Sequence, residues 1–164
     1  MKTRIFWLNE NLGIMSRPLG GEDLMEEIEY WKKLKVNTVV SFLTDEENEE
    51  LGLEYERMDC RREGFNFTKF PIEDRQVPDS YLKTKELVNN LIDKINQNDK
   101  ILMHCRGGIG RVSIISSIVL SILQNVSIGQ SFKDISKIRG FQVPDTDEQI
   151  VWTKTFMEKM SVKY

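Results

Sequence analysis

Apolar positions along this chain change period from segment to segment, and each period predicts an element. In "GEDLMEEIEYWKKLKV", residues 21 to 36, Leu24, Ile28, Trp31 and Leu34 share one face of a 3.6-residue repeat while charges fill the rest, which predicts an amphipathic helix. "VNTVVSFL", residues 36 to 43, is short, β-branched and apolar, the composition of a buried strand. "DEENEELG" predicts a short acidic helix closed by Gly52, and "LEYERMDCRREG" another closed by Gly64. "FNFTKFPI", residues 65 to 72, alternates aromatic and polar positions and predicts a strand. After the polar loop "EDRQVPDS", Asp79 or Ser80 is placed to cap a helix with an apolar stripe of Leu82, Leu87, Leu91 and Ile95. "KILMHC", residues 100 to 105, predicts a further strand, and "VSIISSIVLSIL", residues 112 to 123, a buried helix. Two more helices are predicted around residues 127 to 138 and 145 to 160, separated by "RGFQVPDT".

Strands alternating with helices imply one α/β domain over residues 1–164, with a mainly parallel central sheet flanked by helices. A chain of this size buries roughly 70% of its unfolded surface, enough for a real core. Apolar residues at 40% and charged residues at 30% are a globular balance. The net charge of −3 gives no global basic field, so nucleic acid is not an expected partner and any affinity for an anion must be local. The most apolar run is 12 residues long and carries serines, too short for a bilayer, so no membrane association is expected. "MKTRIFWLNENLG" is too interrupted by polar residues for a secretion signal. Without one, the glycosylation-like "NFT" and "NVS" carry no weight. Two cysteines and one histidine make neither a disulfide framework nor a zinc site. The expectation is a monomer in a reduced, cytoplasmic setting, with no metal and no cofactor.

The chemistry concentrates in "HCRGGIGRVS", residues 104 to 113. A strand, a glycine loop and a helix in succession wrap backbone N–H groups around a small concavity, and the helix N-terminus adds partial positive charge. The backbone of Arg106, Gly107, Gly108, Ile109 and Gly110 is thus expected to hold an anion of phosphate size. Arg111, six positions after Cys105, can aim its guanidinium at the same anion with two parallel hydrogen bonds. The Arg106 side chain has two readings, one that widens the positive field and one as an ordinary surface arginine. Cys105 at the rim is favoured as thiolate, the nucleophilic form, and is placed to attack the anion and form a thiophosphate. His104 alternates away from Cys105 at the strand end, so it orients the loop and is not a base.

His-Cys, two residues, Gly, one residue, Gly-Arg, set between an apolar strand and an apolar helix, resembles the signature loop of the cysteine-dependent protein tyrosine phosphatases. The matching residues are His104, Cys105, Gly108, Gly110 and Arg111, and the compact chain is similar to the dual-specificity and small microbial members. The resemblance runs from about Val36 to Gln149 and implies hydrolysis of phosphotyrosine proteins, and also of phosphoserine or phosphothreonine ones, through a phosphocysteine intermediate. It also implies a general acid on a mobile loop about thirty residues before the cysteine. "FPIEDRQVPD" offers Glu73, Asp74 and Asp79, and Asp74, 31 residues before Cys105, is the choice.

Gln149 falls where the family carries a glutamine-bearing segment that places water, with Asp145 in a neighbouring position. Family members usually follow the arginine with serine or threonine, whose hydroxyl helps the thiolate leave. Here Val112 follows, and Ser113, counted with His104 and Gln149 among the supporting residues, is rotated about 100° further round the helix. Arg17 in "SRPLGG" borders the pocket or merely a turn, and Cys60 is either a resolving thiol or a plain helix cysteine. Val112 also motivates a different class of function, a catalytically weak module that binds phosphoprotein. A third reading is a phosphatase for a phosphoinositide or an RNA 5′ phosphate; the resemblance implies lysines in the loop of the lipid-phosphate enzymes, so an interior of Gly-Gly-Ile-Gly disfavours the phosphoinositide.

Overall fold

The computed structural model describes residues 2–160. Strands β1 (Phe6–Trp7), β2 (Leu12–Met15), β3 (Thr38–Ser41), β4 (Asn66–Lys69) and β5 (Ile101–His104) form one sheet in the order β1-β2-β5-β3-β4. Only β1 runs antiparallel; the other four are parallel, so their connections must cross over through helices. Those helices are α1 (Leu24–Lys33), α2 (Asp45–Glu50), α3 (Glu56–Arg62) and α4 (Tyr81–Asn96). After β5 come α5 (Arg111–Gln124), α6 (Ile128–Arg139) and α7 (Asp147–Lys159). The α/β domain with a mainly parallel sheet is as the hydrophobic pattern predicts, with strand limits trimmed to the paired residues.

Two apolar layers cover the two faces, and the strand period of two sorts residues between them. Ile101 and Met103 of β5 and Val40 of β3 join α4, α5, α6 and α7 in one cluster. Leu102 and Val39 join Leu24, Ile28 and Trp31 of α1 and Cys60 of α3 in the other. Every residue of α5 from Arg111 to Ser121 is buried, so its apolar length is spent on the core. Among the described residues no single helix is long and apolar enough to cross a membrane. β5 lies between β2 and β3 at the centre of the sheet, and open parallel sheets bind ligands beyond the carboxyl ends of such central strands.

Two local readings change. Leu82 is 63% exposed; the buried stripe of α4 is Thr84, Leu87, Val88 and Leu91, because at about 100° per residue these four share a face and Leu82, five residues before Leu87, lies off it. The β1–β2 hairpin is not apparent in the pattern, since β1 is two residues long and a glycine interrupts β2. That glycine has a packing reason: Gly13 pairs with Trp7, and a Cβ there would lie 2.8 Å from Ile5 and 3.0 Å from the Trp7 ring.

Candidate active site

The alternation of β5 continues past its end. Cys105 is 2% exposed and packs with the cluster that contains Ile101, Met103 and Val112. His104 faces the opposite side, where Nε2 lies 2.6 Å from Oε1 of Glu56 on α3, both side chains being buried. A carboxylate only accepts, so Nε2 carries the hydrogen and the ring is pinned in one orientation. The expected role of His104 as an anchor of the strand end thus has a partner, Glu56, which its surroundings in sequence do not single out.

The loop after Cys105 curls back under the β2 end. Gly108 has φ +69, and a Cβ there would meet the backbone of Ser16 and Met15 at 2.5 and 2.6 Å, so the position admits only glycine. The Arg17 N–H donates to the Arg106 carbonyl at 3.0 Å. Arg17 therefore borders the loop through its backbone, while its guanidinium donates to the Pro18 carbonyl. Among the described residues, the N–H groups of residues 106 to 110 have no protein acceptor. Five such donors in succession lead into the N-terminus of α5, the arrangement that in general suits an anion.

Arg111 is 2% exposed and gathers three segments. Its Nη1 donates to Glu47 at 2.6 Å and to the Ile72 carbonyl at 2.7 Å; its Nη2 donates to Glu47 at 2.9 Å and to Asp74 at 3.1 Å. Burial alone would lower its pKa, but the hydrogen bond to Glu47 and the charges of Cys105, Glu47 and Asp74 outweigh this and raise it. Burial would likewise raise the pKa of Glu47, and its bonds to Arg111 and Thr44 outweigh that and lower it. The bidentate partner within the protein is thus a carboxylate that fixes the guanidinium beside the cradle. Glu47 was missed; its one sequence signal is the Thr44…Glu47 capping box that starts α2.

Asp74 is brought to Arg111 from a segment 37 residues away and keeps an exposed carboxyl. Asp79 lies before the Ser80 cap and has no cap bond of its own. Arg106 does not widen the positive field: its guanidinium turns to α2, donating to Glu50 at 3.1 Å, with Glu47 at 3.9 Å, because that short helix presents the nearest acidic side chains.

Gln149 is buried and its carboxamide is engaged at both ends, Oε1 accepting from the Thr146 N–H and Nε2 donating to the Gln76 carbonyl. The group that crowds Gly110 with it is Asp145, whose carboxylate oxygen a Cβ at Gly110 would strike. Partial burial, with Asp74 nearby, raises the Asp145 pKa against the pull of Arg75 and Arg111. The Ser113 hydroxyl is buried and unpartnered, and Val112 is fully buried. Cys60 sits in the cluster on the other sheet face from Cys105, where burial and the charges of Glu56 and Asp59 push its thiol far up, so the plain helix cysteine is the reading the structure favours.

Among solved structures, the chain is similar to kinase associated phosphatase with serine at its catalytic-site cysteine, at TM-score 0.90 and 20% identity over 100% of this chain and 99% of that one. It is also similar to PTPMT1 in complex with PI(5)P, at TM-score 0.80 and 15% identity over 96% of each chain. At these identities the likeness is one of fold. Among curated proteins it is 28% identical over 91 residues to cyclin-dependent kinase inhibitor 3 of Mus musculus, covering 56% of this chain and 43% of that protein. It is also 28% identical over 71 residues to protein 197R of Invertebrate iridescent virus 6, which bears the name of a tyrosine phosphatase, covering 42% of this chain and 27% of that protein. The chain therefore spans less than half the length of either curated relative. The profile of the family described as "Polymorphic toxin system, DSP-PTPase phosphatase" matches residues 13–124, a span that holds all of β2 but Leu12, with Glu47, Asp74, the loop of residues 105 to 110 and α5. Because that match covers most of the chain and includes Cys105, Arg111, Glu47 and Asp74, the protein belongs to the DSP-PTPase phosphatase family, within the cysteine-dependent protein tyrosine phosphatases.

Proposed function

We propose that the protein hydrolyses phosphomonoesters of phosphorylated proteins, phosphotyrosine first among them, through a phosphocysteine intermediate. The observation that carries this reading is the convergence of three groups: a buried Cys105 before a cradle of unpaired N–H groups, Arg111 fixed beside it, and the Asp74 carboxyl 3.1 Å from Arg111.

In the first step the Cys105 sulfur attacks phosphorus and the bond from phosphorus to the ester oxygen breaks. The electron pair leaves with that oxygen, which takes a proton from the Asp74 carboxyl. The cradle N–H groups and Arg111 bear the charge on the equatorial oxygens. In the second step water attacks phosphorus, the sulfur–phosphorus bond breaks, the pair returns to sulfur, and Asp74 takes the water's proton. No step needs a metal, so turnover is expected to survive EDTA.

The test is a substrate panel run beside Cys105→Ser: phosphotyrosine, phosphothreonine and phosphoserine peptides, a phosphoinositide and an RNA 5′ phosphate. Hydrolysis of the phosphotyrosine peptides by the native protein, abolished in Cys105→Ser while phosphate binding persists, supports the reading. Hydrolysis of the lipid or RNA phosphate alone moves the substrate; binding without turnover makes the protein a phosphoprotein-binding module.

A further inference from the structure

Three consecutive carbonyls of the loop are held from outside. Arg106 O accepts from the Arg17 N–H at 3.0 Å, Gly107 O accepts from Arg139 Nη2 at 3.3 Å, and Gly108 O accepts from Arg139 Nε at 3.0 Å. A trans peptide is planar, with its C=O and the following N–H pointing opposite ways. Turning these three carbonyls outward therefore turns the N–H groups of Gly107, Gly108 and Ile109 inward. Gly107 and Gly108 supply no side chain to hold the peptides in that sense, and a glycine backbone has the most alternatives. The order must come from outside the loop, and two of the three fastenings belong to one side chain.

That side chain is itself clamped. The Arg139 guanidinium lies 4.1 Å from the Phe6 ring centroid and 4.6 Å from that of Phe141, and Arg4 also lies over the Phe6 ring at 4.6 Å. Contact with two aromatic rings restricts the plane in which its N–H groups point. Phe6 comes from β1 and Arg139 from the last residue of α6, so the hairpin and α6 meet over the loop.

We propose that Arg139, held against Phe6 and Phe141, is a positioning residue that sets the anion cradle by fixing the carbonyls of Gly107 and Gly108 outward. It touches neither the reacting atoms nor the substrate; it acts through the N–H groups that do. Its charge also lies near Cys105: burial lowers the Arg139 pKa, the Cys105 charge raises it, and Arg4 lowers it, with a net decrease. The inference rests on the phosphatase reading for its effect on turnover, but not for its effect on anion binding.

The experiment measures vanadate binding, the pH profile of inactivation by iodoacetate, and thermal stability in the full chain, for the native protein, Arg139→Lys and Phe6→Leu. Lysine keeps the charge but cannot bridge two carbonyls in one plane. Arg139→Lys is expected to weaken vanadate binding tenfold or more and to move the iodoacetate midpoint to higher pH. Phe6→Leu keeps both hydrogen bonds and loosens the plane, with a shift of about threefold in the same direction. Native-like vanadate affinity and an unchanged midpoint in Arg139→Lys overturn the proposal, as does a loss of thermal stability alone. If Arg139→Lys does not fold, Phe6→Leu decides: no change in vanadate binding overturns the proposal. A native protein that binds vanadate but hydrolyses no phosphomonoester defeats the proposed function and leaves this inference standing or falling on the variants.

Discussion

Both terminal nitrogens of Arg111 meet both carboxylate oxygens of Glu47, at 2.6 and 2.9 Å, across 64 residues of chain. The pair is buried, so removing one member leaves the other without its partner, which typically costs about 3–5 kcal/mol. Glu47→Gln keeps one acceptor and is expected to lose less stability than Glu47→Ala, but to lower kcat/KM by tenfold or more, because the guanidinium is no longer fixed beside the cradle. The pH dependence has a definite sign. The folded-state pKa of Glu47 is depressed, so its contribution to stability is present above the ordinary value of 4.5 and is lost as pH falls through the lowered one. Urea unfolding from pH 3 to 7 should show a flatter acid limb in Glu47→Gln than in the native protein; identical slopes would contradict the pairing.

Asp74 carries its carboxyl to Arg111 from an exposed loop. If it protonates the leaving oxygen, Asp74→Asn should slow poor leaving groups by about 10²–10⁴-fold and activated ones far less. A series of aryl phosphates of graded leaving-group pKa measures this directly. Equal slowing across the series removes Asp74 from the role, and the same graded loss in Asp145→Asn instead would transfer it to the carboxyl beside Gly110.

Val112 is fully buried in the cluster that includes Cys105. Valine has the shape of threonine without its donor, and hydrogen bonds to charged groups are worth roughly 1.5–3 kcal/mol, so breakdown of the phosphocysteine is expected to be slowed about tenfold or more. Rapid mixing should show a burst of phenol release followed by slower turnover. Val112→Thr should shrink the burst and raise kcat. A native protein without a burst, and a Val112→Thr variant with unchanged kcat, would make Val112 a packing choice only.

The two cysteines lie on opposite faces of the sheet, and burial pushes the Cys60 thiol far up. Iodoacetate should therefore label the folded protein only at Cys105, and Cys105→Ser should leave it unlabelled below pH 9. Under mild peroxide, mass spectrometry should find oxidation of Cys105 with no internal disulfide. A Cys60–Cys105 disulfide formed without unfolding would restore Cys60 to a resolving role.

The parts of this protein that are legible in its sequence are those continuous along the chain. The strand Ile101–His104, the glycine loop and the buried helix Arg111–Gln124 are adjacent residues, so their periods, glycines and charges name an anion cradle with a cysteine before it. The α/β class follows from the same local periods, and Asp74 was reached through a spacing that the family resemblance supplied. The tertiary structure alone decided what surrounds that cradle. Glu47 and Glu56 sit in acidic stretches with many equivalent carboxyls; only the placement of α2 and α3 in the folded chain selects Glu47 for Arg111 and Glu56 for His104. Arg106 looked the same as any loop cation until α2 was placed beside it. The hairpin escaped because a two-residue strand and a strand with a central glycine show too few alternations to register a period. Arg139 lies at the end of an ordinary amphipathic helix, and its bonds to Gly107 and Gly108 exist because that helix end packs against Phe6 from the far end of the chain. Periodicity records which way a side chain faces within its own element; which partner waits there depends on how distant elements dock, and that is a property of the packed core.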